Sequence, residues 1–394
     1  MVRVLLAWEL GEGYGHLAPL RALAVLLKAE GHEPAFAVKL LTNAAEFVGY
    51  DLGPVWQAPI TDRAVSNPVK VQVSYASLLH NTGFGDPVGL AARIAGWRTI
   101  LLGHRAELLV CEHAPTAAVA ARTLGLPVCN VGTGFVVPPL VTPFPSFRVD
   151  AQIPETTLRQ NEAHVLGDLN RALEILGLHP FDRLQEIFAG ARAAVLSYRQ
   201  LDHYGLDRPE PRLGLPELSD GMAPVWPAGA GPRVFAYLRP VPQLTPLLEA
   251  LRDCRARVLL RASALSPAAL APYLRPGFEV VGESLSFVQA AEECDVFLNY
   301  APHSTVAECL VAGKPGVVMP DNQERILVAT RMVQLGAGIA LAGDGSADVG
   351  AALQQVLDDP SYRRAAERFS ASVRHLDRSR IFPTILEDAL AAIA

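Results

Sequence analysis

Two hydrophobic periods alternate along this chain. The opening VRVLLAW is a short apolar-rich run, the pattern of a strand buried on both faces. From Leu17 to Ala29 the period lengthens: Leu20, Leu23, Ala24 and Leu27 share one helical face, and Gly31 ends the helix. EPAFAVK is the next strand, followed downstream by the strand AELLVCEH, the helix PTAAVAARTLG and the strand LPVCNVGTG. Residues 158–177 return to helix, with Leu158, Val165, Leu169, Leu173 and Leu176 as an apolar stripe. The rhythm restarts at RVFAYL and runs through TPLLEALRDC, RARVLLRAS, FEVVG, SFVQAAEEC, DVFLNY, TVAECLVAG, PGVVMP and RILVATRMVQLG. FPTILEDALAAIA closes the chain as a helix. Strands that alternate with helices predict parallel, doubly wound sheets.

Two stretches break the rhythm. FVVPPLVTPFPSFRVDAQIPE is too rich in proline for regular structure, and Phe135, Phe144 and Phe147 favour an ordered loop that walls a pocket. PEPRLGLPELSDGMAPVWPAGAGP is the strongest linker signal. The organisation expected is an N-terminal Rossmann-like domain over 1–215, a linker over 216–231, a C-terminal Rossmann-like domain over 232–375 and a final helical segment, 376–394. Two such halves imply a cleft between them.

Composition narrows the function. At 394 residues the chain suits two domains, and a formal net charge of -6 argues against nucleic acid as the main partner. The five cysteines are scattered with no CxxC or Cys/His cluster, which points away from zinc and disulfides and fits a reduced cytosol. The N-terminal apolar run is short for a signal peptide, and no stretch of roughly 18 apolar residues predicts a membrane span. A peripheral membrane location and a homodimer both stay open.

The first turn, Gly11-Glu12-Gly13-Tyr14-Gly15-His16, has three readings. As a dinucleotide fingerprint it lacks the acidic residue that should end EPAFAVKLL. It could be a plain tight turn with a satisfied histidine. Or His16 is a general base, placed where open α/β sheets bind ligands, beyond the carboxyl ends of their strands. Glu112, at the end of a later strand, would orient that base; it could equally sit at the start of the next helix to favour its dipole. In the second half, Ser304 and Thr305 lie where a helix should begin, near Thr305, a site suited to phosphate. Ser304 could also merely cap that helix. Glu308, a turn further on, could bind a ribose, and Gln323 could reach sugar hydroxyls.

GYGHLAPLRALAVLLKAEGH resembles the opening of GT-B glycosyltransferases, and HSTVAECLVAGKPGVVMPDNQERILVATRMVQLGAGIAL resembles their donor signature. The likeness is closest to the inverting, nucleotide-sugar-dependent antibiotic, macrolide and plant small-molecule enzymes. Specific motif matches cover about residues 11–33, 107–127 and 280–341. The resemblance implies an α/β GT-B fold, two Rossmann-like domains facing across a cleft. It implies His16 as the base and Glu112 as its partner, where relatives often carry Asp. Thr305 would contact donor phosphate, Glu308 the ribose and Gln323 the sugar. The usual His-Gly-Gly turn reads Tyr300-Ala301-Pro302, so His303 or Arg239 would supply positive charge instead. Tyr14, Thr133, Phe135 and Phe144 would contact the acceptor in the N-terminal domain, whose pocket would also be walled by residues 57–90.

The reaction implied moves a hexose-type sugar from a nucleotide diphosphate donor, as co-substrate, to the hydroxyl of a small-molecule or lipid-linked acceptor. Configuration would invert. No DxD-type acidic pair is suitably placed, so neither a metal nor a further cofactor is expected. UDP-, dTDP- and GDP-sugars all fit. The alternatives are a nucleotide-sugar 2-epimerase of the same fold and a non-catalytic partner protein of that fold.

Overall fold

The apolar runs become strands because each is covered on both faces. In the computed structural model, β4 (Leu108–Glu112), β5 (Val128–Gly132), β10 (Val296–Asn299) and β11 (Gly316–Val318) are buried along their whole length. The described residues are 1–61, 64–149, 151–205, 207–217, 221–241, 244–262, 264–282, 285–342 and 348–393, and they exclude the Tyr14 side chain. The chain divides into two units: Met1–Leu196 with Leu206–Leu213 and Ser379–Ala394, and Ser197–Gly205 with Gly214–Arg378.

The first unit adds β1 (Arg3–Trp8), β2 (Glu33–Val38), β3 (Val55–Gln57) and β6 (Arg192–Val195) to β4 and β5. Its sheet runs β3-β2-β1-β4-β5-β6, all parallel. The strand order reverses between β1 and β4, where Trp8 stands opposite Glu112. On one face the helix Leu17–Ala29 buries Leu20, Leu23, Ala24 and Leu27 in a core shared with Ile381, Ile385, Leu386 and Ala389 of the helix Ile381–Ala391. The helix Pro87–His104 is not foreshadowed by the apolar period. Its apolar residues spread around the axis, and Asp86 caps its start through the Gly89 amide, with Pro87 at the first helical position.

The second unit repeats the plan. With β7 (Arg233–Leu238), β8 (Arg257–Ala262), β9 (Phe278–Val281) and β12 (Gly338–Ala340), its parallel sheet runs β12-β11-β10-β7-β8-β9. Its reversal lies between β10 and β7. From Gly214 onward, the described part of the Pro/Gly-rich stretch read as a linker packs into this unit, while Leu213 packs on the core of the first. Met222 bridges Leu285, Leu215 lies in the core, and Trp226 packs against it. Among the described residues, no helix is long and apolar enough to cross a membrane.

Candidate functional site

His16 leaves the carboxyl end of β1 on a glycine turn, and Glu112 is the last residue of the neighbouring strand β4. The strand reversal therefore delivers both to one place, with His16 Nδ1 2.6 Å from Glu112 Oε2. The turn is built around the imidazole. Gly11 has φ +85°, and a Cβ there would stand 2.1 Å from His16 Nε2. Lys39 Nζ fixes the turn by donating to the Gly11 carbonyl at 2.8 Å. Trp8 stacks on the ring at 5.6 Å and 15°, while its indole N–H donates to the Leu10 carbonyl.

Burial pushes the Glu112 carboxyl upward, and the His16 contact opposes that shift. His113, its ring centroid 6.0 Å from that of His16, is held well below the usual histidine value by burial and then by His16 and Lys39. A Cβ at Gly132 would strike Val136 Cγ2 at 2.3 Å and crowd Glu112 Oε1 at 3.1 Å.

Glu9, one residue past β1, was not singled out by the sequence. It is buried, and its Oε2 accepts the Thr116 amide at 2.9 Å, at the start of the helix Pro115–Thr123. Burial raises its pKa from the usual 4.5 to about 7, against the Thr116 bond and Arg93. Folding thus favours the protonated acid. That stabilisation is complete below pH 4.5 and is lost as the pH climbs through about 7. Glu9→Gln keeps an acceptor for the amide and removes the loss. Between pH 5 and 8 its unfolding free energy should gain about 3 kcal/mol on that of the parent, measured by urea unfolding. A pH-independent difference would refute this account of Glu9.

The Pro/Phe-rich loop is ordered through buried polar anchors. Glu162 Oε2 accepts the Phe144 amide at 2.7 Å, and Gln185 Nε2 bonds both Glu162 and the Val141 carbonyl. The expectation for Phe144 is corrected: it is fully buried, edge-on to Tyr75 at 5.6 Å, and offers no surface to an acceptor. Phe147 is likewise core. Phe135 meets His113 edge-on at 6.4 Å. Thr133 is part-buried, its hydroxyl without a hydrogen-bond partner among the described residues. The Tyr14 side chain lies outside the described residues.

In the second unit the helix after β10 starts at His303, two residues before the expected position, with Pro302 at its cap and no side-chain capping bond. Ser304 is exposed and does not cap it, and Thr305 is nearly buried. Ala301 takes the left-handed backbone, φ +63°, that a glycine would adopt more easily, and its amide donates to Asn299 Oδ1 at 2.8 Å.

His303 is corrected as a source of positive charge. It is buried against Ser197 Oγ at 2.8 Å and stacked on His203, and burial lowers its pKa to about 4, so it is neutral at neutral pH. Arg239 follows β7 and lies over the Tyr300 ring at 4.9 Å. Its partner is Asp321, at 2.6 Å, which also pairs with Arg325. Arg325 covers the same ring at 4.6 Å and is a cation the sequence reading missed. Glu308 is gripped by both terminal nitrogens of Arg378, at 2.9 and 2.5 Å. Gln323 opens the helix Gln323–Gln334, which Asn322 caps.

Residues 282–378 match the family described as Erythromycin biosynthesis protein CIII-like, C-terminal domain. No curated protein sequence matches the chain. Solved structures resemble it over nearly its whole length. The calicheamicin glycosyltransferase CalG4 has a TM-score of 0.70 at 19% identity, covering 100% of this chain and 99% of its own. The glycosyltransferase VinC, solved in complex with dTDP, has 0.69 at 16%, covering 99% and 100%. The glycosyltransferase SsfS6 of Streptomyces sp. SF2575 has 0.65 at 21%, covering 98% and 99%. Two parallel Rossmann-like sheets of identical strand order, superposable on such structures, make this a chain of the GT-B fold, and its residues 282–378 match an EryCIII-like C-terminal domain.

Proposed function

We propose that the chain is an inverting glycosyltransferase that moves a hexose-type sugar from a nucleotide diphosphate to a hydroxyl of a small-molecule acceptor. The His16–Glu112 pair carries this reading. With Glu112 ionised, His16 donates Nδ1–H to it, and Nε2 is the nitrogen that accepts the hydroxyl proton. The acceptor oxygen attacks the anomeric carbon from the face opposite the diphosphate, and Glu112 stabilises the imidazolium that forms. The carboxylate also fixes the ring's orientation, as do the Trp8 stack and the Gly11 turn.

The donor is assigned to the second unit. Its diphosphate charge, which grows as the glycosidic bond breaks, is met by the uncapped helix start at His303–Thr305 and by Arg239 and Arg325. Asp321 holds those guanidinium groups in place. Glu308, oriented by Arg378, takes the ribose, and Gln323 the sugar. The step as written uses no metal and no further cofactor. The dTDP bound to VinC and the antibiotic enzymes among the structures of the same fold support this class of donor.

The test is a panel of UDP-, dTDP- and GDP-sugars scored by thermal shift, followed by product analysis with the donors that bind. Stabilisation by at least one nucleotide sugar, and a product of inverted anomeric configuration, are expected. Stabilisation by none would sink the proposal. Thr305→Val removes a hydroxyl at nearly constant volume and should weaken binding of the free nucleoside diphosphate about tenfold in calorimetry, since a hydrogen bond to a charged group contributes about 1.5 kcal/mol or more. Unchanged affinity would remove Thr305 from the phosphate site.

A further inference from the structure

Away from the His16–Glu112 pair in sequence, the first unit gathers His80, His164 and Asp168, one ligand atom from each lying within 4.8 Å of the others. His164 and Asp168 are four residues apart on the helix Glu155–Ile175, so both side chains leave one face. His80 comes from the neighbouring helical segment His80–Phe84. Its ring orientation is set from behind: Nε2 lies 2.9 Å from the Asn67 carbonyl, an oxygen that can only accept. Nε2 therefore carries a proton, and in the neutral ring Nδ1 presents a lone pair.

That nitrogen is buried and has no hydrogen-bond partner among the described residues. It faces Asp168 Oδ2 at 4.0 Å, beyond hydrogen-bond reach. His164 Nε2 stands 3.6 Å from the same oxygen, and Arg171 takes the other carboxylate oxygen, Oδ1, at 3.1 Å. Distances of 3.6 and 4.0 Å are long for hydrogen bonds but close to the spacing of atoms that share a cation. With zinc–ligand bonds of about 2.0–2.1 Å, tetrahedral ligands stand about 3.4 Å apart.

We propose that His80 Nδ1, His164 Nε2 and Asp168 Oδ2 form a binding site for a tetrahedral divalent transition metal of the zinc class. Water completes the fourth position, because the His164 side chain is 61% exposed. The Asn67 carbonyl is the outer partner that a ligating histidine needs on its second nitrogen. Two imidazoles and one carboxylate suit Zn2+ better than Mg2+ or Ca2+, which prefer oxygen. The ion would clip the segment His80–Phe84 to the helix whose Glu162 anchors the Pro/Phe-rich loop, a structural role separate from sugar transfer.

The test titrates ZnCl2 into the EDTA-stripped full chain by calorimetry and follows the melting temperature in parallel, with no substrate present. One equivalent should bind saturably and raise the melting temperature by about 5 °C at a hundredfold excess over Kd. His164→Ala alters an exposed side chain, so it should leave the metal-free melting temperature unchanged while weakening Zn2+ binding about 100-fold. Asp168→Asn should weaken it similarly. Absence of saturable binding to the parent, or affinity unchanged in both variants, would overturn the site.

Discussion

Replacing His16 with alanine should lower glycosyl transfer by about a thousandfold, within the 10²–10⁴ that a positioned general base contributes. Nucleotide binding, measured by calorimetry, should persist, because the residues proposed to hold the donor belong to the other unit of the chain. The loss should appear in kcat, since the imidazole acts only as the hydroxyl proton leaves. Glu112→Gln preserves a hydrogen bond to Nδ1 but withdraws the charge that stabilises the imidazolium, and it permits the wrong tautomer. Its turnover should fall between those of the parent and His16→Ala. Full activity in His16→Ala would remove the base from the mechanism.

Gly11→Ala should do nearly as much damage from one atom. The new Cβ would lie 2.1 Å from His16 Nε2 and 2.6 Å from Cε1, and the backbone would stay at φ +85°. Either the ring swings off Glu112 or the turn rearranges. A displacement of about 1 Å in a catalytic group costs on the order of 10²-fold in rate. The left-handed backbone adds about 1–2 kcal/mol of instability. Gly13→Ala is the internal control. Gly13 has a similar φ, +87°, yet a Cβ there meets nothing within 4 Å among the described residues. It should cost similar stability and leave turnover near that of the parent. Equal loss of turnover in both variants would show that backbone strain, not the His16 contact, explains the effect.

The contrast between these glycines marks what the sequence could reveal. The GxGxG spacing announced a turn at a strand end, and strand–helix alternation put His16 and Glu112 at carboxyl ends of one parallel sheet. Their meeting follows from the reversal between β1 and β4, a topological fact that apolar periodicity anticipates. Which glycine makes room for the ring depends on where the imidazole comes to lie, and only coordinates show that.

Contacts between residues distant in sequence were similarly hidden. Phe144 looked like a pocket wall because loop aromatics often are, but Tyr75 and the Glu162 anchor draw it into the core. His303 carried the promise of a positive charge until burial neutralised it. Glu308 is gripped by Arg378, seventy positions away, and nothing local to either residue signals the pair. The helix Pro87–His104 escaped notice because Val88 and Leu102 are exposed while Arg93 is buried, which blurs the one-sided stripe that periodicity detects.

The route of the chain also governs how the protein can be taken apart. The first unit is not a contiguous gene fragment: its core is completed by Ile381, Ile385, Leu386 and Ala389 from the far end of the sequence. A fragment ending at Leu196 would lay bare the apolar face of the helix Leu17–Ala29, forfeiting about 1.5–3 kcal/mol for each large side chain left unburied. A stand-alone first unit would have to be assembled as a fusion in which residues 379–394 are spliced behind residue 213. The same arrangement makes the helix Ile381–Ala391 a folding checkpoint during synthesis, because the first unit cannot finish its core until that helix has left the ribosome, well after the second unit.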